Sequence, residues 1–152
     1  MLFERLDPII PGPMIRTLNV NVSTIKRQAF AFGEGLSFST FTVQCAIGSM
    51  SSAGVKDCRV TNTGKRPGSV VVQLYLSFPT SAGEPPKQLR GFSKIRLAAG
   101  QVDAGVEFEL VERDRSVWDP TTMAWTAVKG KFGLHVGQSS RDPNMQSGSF
   151  EV

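Results

Sequence analysis

Few residues in this chain are of types that do chemistry, and their spacing forms few constellations. The single histidine, His135, stands in the run Phe132-Gly133-Leu134-His135-Val136. There it falls opposite the apolar phase, so the expectation is a solvent-facing imidazole without the partners a general base requires. Cys45 and Cys58 are the only cysteines, and a metal site takes at least three or four soft ligands at close spacing. The two lie symmetrically about a turn over residues 49–54, where a hairpin brings them face to face. The favoured reading is two buried reduced thiols, because cysteine behaves as a small hydrophobe and direct cross-strand bridges strain the geometry. A cross-strand disulfide is the alternative. Phe32-Gly33-Glu34-Gly35 offers two glycines one residue apart, but no strand precedes and no helix follows to make a phosphate cradle. Spacing alone therefore supplies no catalytic residue, no metal set and no cofactor site.

Charge narrows the classes further. Seventeen Lys and Arg against thirteen Asp and Glu give a formal +4. They are scattered singly or in pairs such as Lys26-Arg27 and Lys65-Arg66, whereas a nucleic-acid footprint concentrates them in a stripe with stacking aromatics. No run approaches the ~18 apolar residues that span a bilayer, and residues 1–7 lack the apolar centre of a secretory signal. Neither nucleic acid nor membrane is an expected partner.

The elements that must position any site are strands. Val70, Val72, Leu74 and Leu76 alternate with Val71, Gln73, Tyr75 and Ser77, a period of two that gives one continuous apolar face. Turn formers precede this core strand at Asn62-Thr63-Gly64 and Pro67-Gly68, and Pro79 and Pro85-Pro86 end it. Around it, Phe41, Val43, Cys45 and Ile47 alternate as a first strand, with residues 56–61 as its antiparallel partner. Residues 87–97 make another strand, its apolar residues out of strict phase, which predicts a bulge near Gly91. Residues 102–111 follow, with Val106, Phe108 and Leu110 inward and Glu107 and Glu109 outward. Residues 114–119 read as a short turn or a single helical turn, capped by Asp114. Residues 123–128, 131–137 and 147–152 complete the strands, with Phe132, Leu134, Val136, Phe150 and Val152 inward. Fifteen glycines and nine prolines suit many short strands joined by tight turns. The fold class is all-β: a two-sheet antiparallel sandwich of roughly seven or eight strands, immunoglobulin-like or fibronectin type III-like. Residues 30–152 are expected to form this domain and residues 1–29 an N-terminal extension. Within the extension Pro8, Pro11 and Pro13 forbid a helix, residues 15–22 suit one extended strand, and Asn21-Val22-Ser23 is a chance glycosylation sequon.

A series of short motifs then occurs in order: Phe32-Gly33-Glu34-Gly35-Leu36-Ser37-Phe38, Val60-Thr61-Asn62-Thr63-Gly64, Gln73-Leu74-Tyr75, the stretch from Pro85 to Phe92, Trp118-Asp119, Val136 to Asp142, and Gly148-Ser149-Phe150. The series resembles the C-terminal fibronectin type III-like domain of family 3 glycoside hydrolases, the β-glucosidase and β-xylosidase family, over residues 30–152. Glu34 stands where the family commonly has an aromatic residue or histidine. The resemblance implies catalytic carboxylates in two other domains and a hinge role for the segment around Phe32. It also implies an extracellular or vacuolar location.

On this resemblance the expected function is a non-catalytic accessory domain that docks to and stabilises the catalytic domains of a family 3 glycoside hydrolase, in cis or in trans. The candidate docking residues are Phe30, Phe32, Leu36 and Phe38 in the hinge-like segment and Lys87, Gln88, Arg90 and Phe92 after the proline pair. Alternatives are a fragment of a full-length hydrolase or a free-standing carbohydrate-binding module. For the module, Tyr75, Trp118 and Trp125 are the rings on which a glycan could stack. Glycoside hydrolysis by these residues alone needs two carboxyl groups about 5–9.5 Å apart. Asp114 with Asp119, or Asp142 with Glu34, are the pairs to inspect; Asp114 as a cap and Asp142 as a turn residue are the simpler readings.

Overall fold

The computed structural model describes residues 30–46, 48 and 50–152 of the chain. The expectations for residues 1–29 and for Ile47 lie outside the described residues. Among the described residues ten strands run in order: β1 (Phe41–Cys45), β2 (Met50–Ser51), β3 (Gly54–Asn62), β4 (Gly68–Ser77), β5 (Gln88–Leu97), β6 (Val102–Glu109), β7 (Ser116–Asp119), β8 (Ala124–Ala127), β9 (Lys131–Gly137) and β10 (Gln146–Glu151). One sheet pairs β3 with β1, β2 and β6, a second has the order β10-β9-β4-β5, and β7-β8 is a separate hairpin. All pairings are antiparallel. The all-β sandwich read from the alternation is therefore the observed fold.

The core lies between the two larger sheets and is built from the predicted phases. Val70, Val72, Leu74 and Leu76 of β4 meet Phe132, Leu134 and Val136 of β9, Val106 and Phe108 of β6, and Val55 and Val60 of β3. Burying such side chains contributes about 1.5–3 kcal/mol each relative to exposure. The predicted irregularity is present too. Leu74 faces Gly91 but Tyr75 faces Leu89, so Arg90 is the extra residue of a β-bulge. Gly91 suits this close approach, because a Cβ at this position would lie 3.0 Å from the Phe108 ring in the core.

Three local expectations are corrected. Cys45 and Cys58 are joined as a disulfide, not reduced. They are direct cross-strand partners of β1 and β3, so both side chains leave the sheet on one face. In the chain-entropy account, closing a loop of 13 residues stabilises the fold by about 3 kcal/mol. Residues 114–119, expected as a short turn or a single helical turn, are a turn only in their first two residues. A 3-10 turn covers Glu112–Arg115 and Ser116–Asp119 is strand β7, because Val117 and Trp118 pair with Thr126 and Trp125. Asp114 sits inside that turn and accepts the N–H of Val111, 3.0 Å away, so it caps by reaching back. Val152 is exposed, since β10 ends one residue earlier. Its backbone still pairs with Gly130 in both directions.

One end of the sandwich is locked by a buried amide. Asn62 is fully buried; its Nδ2 donates to the carbonyls of Arg66 (2.9 Å) and Leu97 (3.2 Å). Its Oδ1 accepts the Ser39 hydroxyl (2.7 Å) and the Gly64 N–H (2.9 Å). All four hydrogen-bonding positions of the amide are used, which offsets the cost of burying it. Ser39 lies just before β1, so the approach from residue 30 into the sandwich is anchored at its far end.

Candidate functional site

The outer face of the β10-β9-β4-β5 sheet brings together three of the sequence-predicted docking residues, Phe32, Lys87 and Phe92, whereas Gln88 pairs with inward Leu76 and Arg90 lies beside Phe78. On β4 the outward positions are Val71, Gln73, Tyr75 and Ser77. Their partners on β5 are Lys94, Phe92 and Leu89, and on β9 Gly137, His135 and Gly133. Directly opposed residues share a face, so Phe92, Gln73 and Gly137 form one row and Leu89, Tyr75 and His135 the next.

Across these rows lies the segment 31–34. It is closed as a turn, with Glu34 N–H donating to the Ala31 carbonyl (3.1 Å) and the Glu34 carboxylate accepting the Ala31 N–H (2.8 Å). The sheet holds its backbone at several points. Ser140 N–H donates to the Phe32 carbonyl at 2.9 Å. Gln73 Nε2 donates to the carbonyls of Gly33 (3.1 Å) and Gln138 (2.6 Å). Two acceptor-only neighbours fix the orientation of the amide. The Tyr75 hydroxyl lies between Gln73 Oε1 and the Phe32 carbonyl, closer to the former. Gln73 and Tyr75 are thus 5% and 1% exposed although they point away from the core. Burial also raises the pKa of the Tyr75 phenol, so it remains a donor at neutral pH.

With its backbone held inward, the segment turns its side chains outward. Phe30, Phe32, Leu36 and Phe38 are all exposed, and Phe92 on the edge strand β5 is 68% exposed. Five large apolar side chains, Phe32 on the held segment, Phe30, Leu36 and Phe38 flanking it and Phe92 on the sheet beside it, are an unusual feature for a surface. The second group is more dispersed. Lys87 reaches across the face, its Nζ 3.4 Å from the Ser140 carbonyl and 3.3 Å from Met145 Sδ. Gln88 instead donates to Glu84 (2.7 Å). Arg90, the bulge residue, lies 5.5 Å from the centre of the Phe78 ring. Burial lowers its pKa against the opposing pull of Asp114 and Glu84.

The sequence reading of His135 is corrected. It does lie opposite the apolar face, but it is half-buried and bridged. Ser77 Oγ is 2.6 Å from the Pro86 carbonyl, to which it donates, and 3.0 Å from His135 Nε2. That leaves Nε2–H as donor to Ser77 and Nδ1 as acceptor of the Ser147 hydroxyl, 2.9 Å away. Burial first, and Lys87 second, lower its pKa.

The carboxylates inspected for catalysis have structural partners. Asp142 accepts the N–H groups of Gln138 (2.8 Å) and Asn144 (2.9 Å), and Asp119 that of Thr121 (2.9 Å). The Thr121 N–H holds the Asp119 pKa down, whereas a catalytic acid needs a raised one. Among the described residues, no three of His, Cys, Asp and Glu are placed to share a metal ion.

The stacking candidates fare unequally. Tyr75, buried beneath residues 31–34, presents no face to a sugar. Trp118 and Trp125 are paired across β7 and β8, edge to face with centroids 5.6 Å apart. The Arg113 guanidinium lies 3.5 Å from the Trp125 ring centre and covers one of its faces. Trp118 is half-buried.

Composition and spacing did not pick out Gln73 or Ser140 as anchors. The available signal was a polar Gln73 at an outward position between Val71 and Tyr75.

The two packed sheets, with β4 central and the hairpin β7-β8 at one end, define a fibronectin type III-like domain. The family model with the description "Fibronectin type III-like domain" matches residues 70–140. Probable beta-glucosidase L of Aspergillus terreus is 50% identical over 102 residues, covering 66% of this chain and 14% of that protein. A beta-glucosidase of Pyricularia oryzae is 40% identical over 127 residues, 74% of this chain and 16% of its own length. Among solved structures, the beta-glucosidase of Kluyveromyces marxianus superposes with a TM-score of 0.72 at 32% identity, over 84% of this chain and 15% of that one. The GH3 beta-glucosidase of Bifidobacterium adolescentis gives 0.67 at 31% identity, over 80% and 18%. This domain is the C-terminal fibronectin type III-like domain of family 3 β-glucosidases. The chain spans between 14% and 18% of the length of these relatives.

Proposed function

We propose that the domain spanning residues 30–152 is a non-catalytic docking module. It packs the outer face of the β10-β9-β4-β5 sheet against the catalytic domains of a family 3 glycoside hydrolase, in cis or in trans, and stabilises them. One observation carries this reading: Phe30, Phe32, Leu36, Phe38 and Phe92 are exposed on or beside a segment whose backbone is fixed by buried Gln73 and Tyr75 and by Ser140. Large apolar side chains on a pre-organised backbone are what an interface core needs, because little ordering entropy remains to be lost on binding. Bond cleavage belongs to the partner domains, since Glu34, Asp114, Asp119 and Asp142 serve backbone turns.

The test is association of the 152-residue chain with the catalytic domains of a related β-glucosidase deprived of its own C-terminal domain. Phe32→Ala with Phe92→Ala is expected to weaken association by about 2–4 kcal/mol, the range of interface hot spots. The thermal midpoint of the isolated chain should move little, because both rings are exposed. A large drop in that midpoint, or unchanged association, would contradict the assignment of these rings to an interface.

A further inference from the structure

A strand at the margin of a sheet presents unpaired backbone N–H and C=O groups, and folded proteins guard such margins with charge, bulges or cover. Two margins of this sandwich are guarded. β5 carries the bulge at Arg90 with exposed Lys94 and Arg96, and β6 carries register shifts against β3 with exposed Glu107 and Glu109. β10 has neither device. Its register on β9 is unbroken, and Gln146-Ser147-Gly148-Ser149-Phe150 holds no charge and no proline before Glu151. Gly130 and Val152 exchange both backbone hydrogen bonds, and in an antiparallel ladder such pairs alternate with unbonded ones. Phe150 and Gly148 therefore bond to β9, whereas the N–H and C=O groups of Ser147, Ser149 and Glu151 point away from it. β1 has a similar free side. Thr63 N–H donates to the Thr40 carbonyl and Ala46 N–H to the Asp57 carbonyl, so the intervening Val43 and Cys45 turn their backbone groups away from β3. The Phe41 carbonyl, in the same phase, accepts Gln138 Nε2 at 3.0 Å, which sets the free margins of β1 and β10 on one side of the sandwich.

Between those margins lies an open hollow of about 330 Å³, lined in part by Cys45, Met50 and β10 from Gln146 to Ser149. The core is thinly covered along this seam, where Cys45, Met50 and Phe150 are only partly buried. A strand laid beside β10 needs apolar side chains at alternate positions to cover those three. Between them it needs small polar ones to continue the outer face of Ser147 and Ser149. Thr17-Leu18-Asn19-Val20-Asn21-Val22-Ser23 has that order, alternating without a break and without a charge. We infer that residues 17–23 of this chain add as a fifth strand to the free margin of β10, with Leu18, Val20 and Val22 laid over Met50 and Phe150. The tether is long enough. The chain enters the sandwich at Phe32, whose carbonyl accepts the N–H of Ser140 in the β9-β10 connection, and the stretch from Ser23 to Phe32 reaches about 30 Å when extended. Being tethered, the segment holds a high effective concentration against any free strand. This inference does not depend on the docking reading.

The test is residue-resolved backbone hydrogen exchange on the whole 152-residue chain and two of its variants. The amides of Ser147, Ser149 and Glu151 should exchange at least about tenfold more slowly in the unaltered chain than in Leu18→Asp/Val20→Asp. Asn19→Asp/Asn21→Asp adds the same charge to the opposite face of the segment and should keep the protection. Amides of the β4-β9 ladder should exchange alike in all three proteins, which shows that the sandwich is folded in each. If Ser149 exchanges at the same rate in the unaltered chain and in Leu18→Asp/Val20→Asp, residues 17–23 do not cover the margin and the inference fails. Equal protection that rises with protein concentration would give the margin to a second copy of the chain and overturn it as well.

Discussion

Phe132→Ala is expected to lower the unfolding free energy by about 3–5 kcal/mol, the largest loss from any single substitution considered for this chain. Phe132 is fully buried on β9. Its ring stacks on Phe150 of β10 at 5.3 Å and meets Phe78 edge-on at 5.3 Å. Removing it forfeits the burial of one of the largest core side chains and two aromatic contacts. It also leaves a cavity between rigid strands that cannot close over it. For a chain of this size each kcal/mol moves the thermal midpoint by about 2–4 °C, so calorimetry should find a drop of roughly 10 °C. Phe132→Leu, which restores most of the volume, should cost less than about 1.5 kcal/mol. Equal losses for the two variants would show that the site collapses freely and that the packing described here is wrong.

Gly33→Ala is expected to produce the largest effect on docking without unfolding the sandwich. Gly33 has φ +76°, and a Cβ there would lie 2.0 Å from Gln73 Oε1. The left-handed backbone alone costs about 1–2 kcal/mol for a residue with a side chain. The methyl group in addition drives away the amide that holds the Gly33 and Gln138 carbonyls. Residues 31–34 should then lift from the sheet and become sensitive to limited proteolysis. Affinity for the catalytic domains should fall at least about tenfold, which corresponds to about 1.4 kcal/mol. Gly35→Ala is the matched control, because a Cβ at that position meets nothing within 4 Å and its φ is ordinary. If both variants resist proteolysis and bind alike, the segment is not held in the way the hydrogen bonds indicate.

How far the sequence could be read depended on whether a residue's role is local. The phases of β4 and β9 were legible because the period of two places Val70 to Leu76 and Phe132 to Val136 inward whatever the topology. The bulge beside Gly91 was legible for the same reason, as a break in phase. The facing of Cys45 and Cys58 was legible from their symmetry about the turn, but their oxidation was not, because a bond needs them to be direct partners in the register of β1 on β3, one residue of slip away from opposite faces. His135 and Tyr75 were misjudged together. Both lie on the solvent phase of their strands, as read, but a distant segment and the Pro86 loop cover that side of the sheet. Strand periodicity says which face a residue takes and is silent on what returns to cover that face. The docking candidates around Phe32 and Phe92 came from the family resemblance; their common face came only from the pairing of β4 with β5.

Hydrogen exchange along the backbone, with and without the catalytic domains of a related β-glucosidase, tests the docking account most directly. Binding should slow exchange in residues 30–38 and along β5 from Gln88 to Arg96, and leave the Trp118–Trp125 hairpin unchanged. Protection confined to that hairpin, with residues 30–38 exchanging as in the free chain, would contradict it.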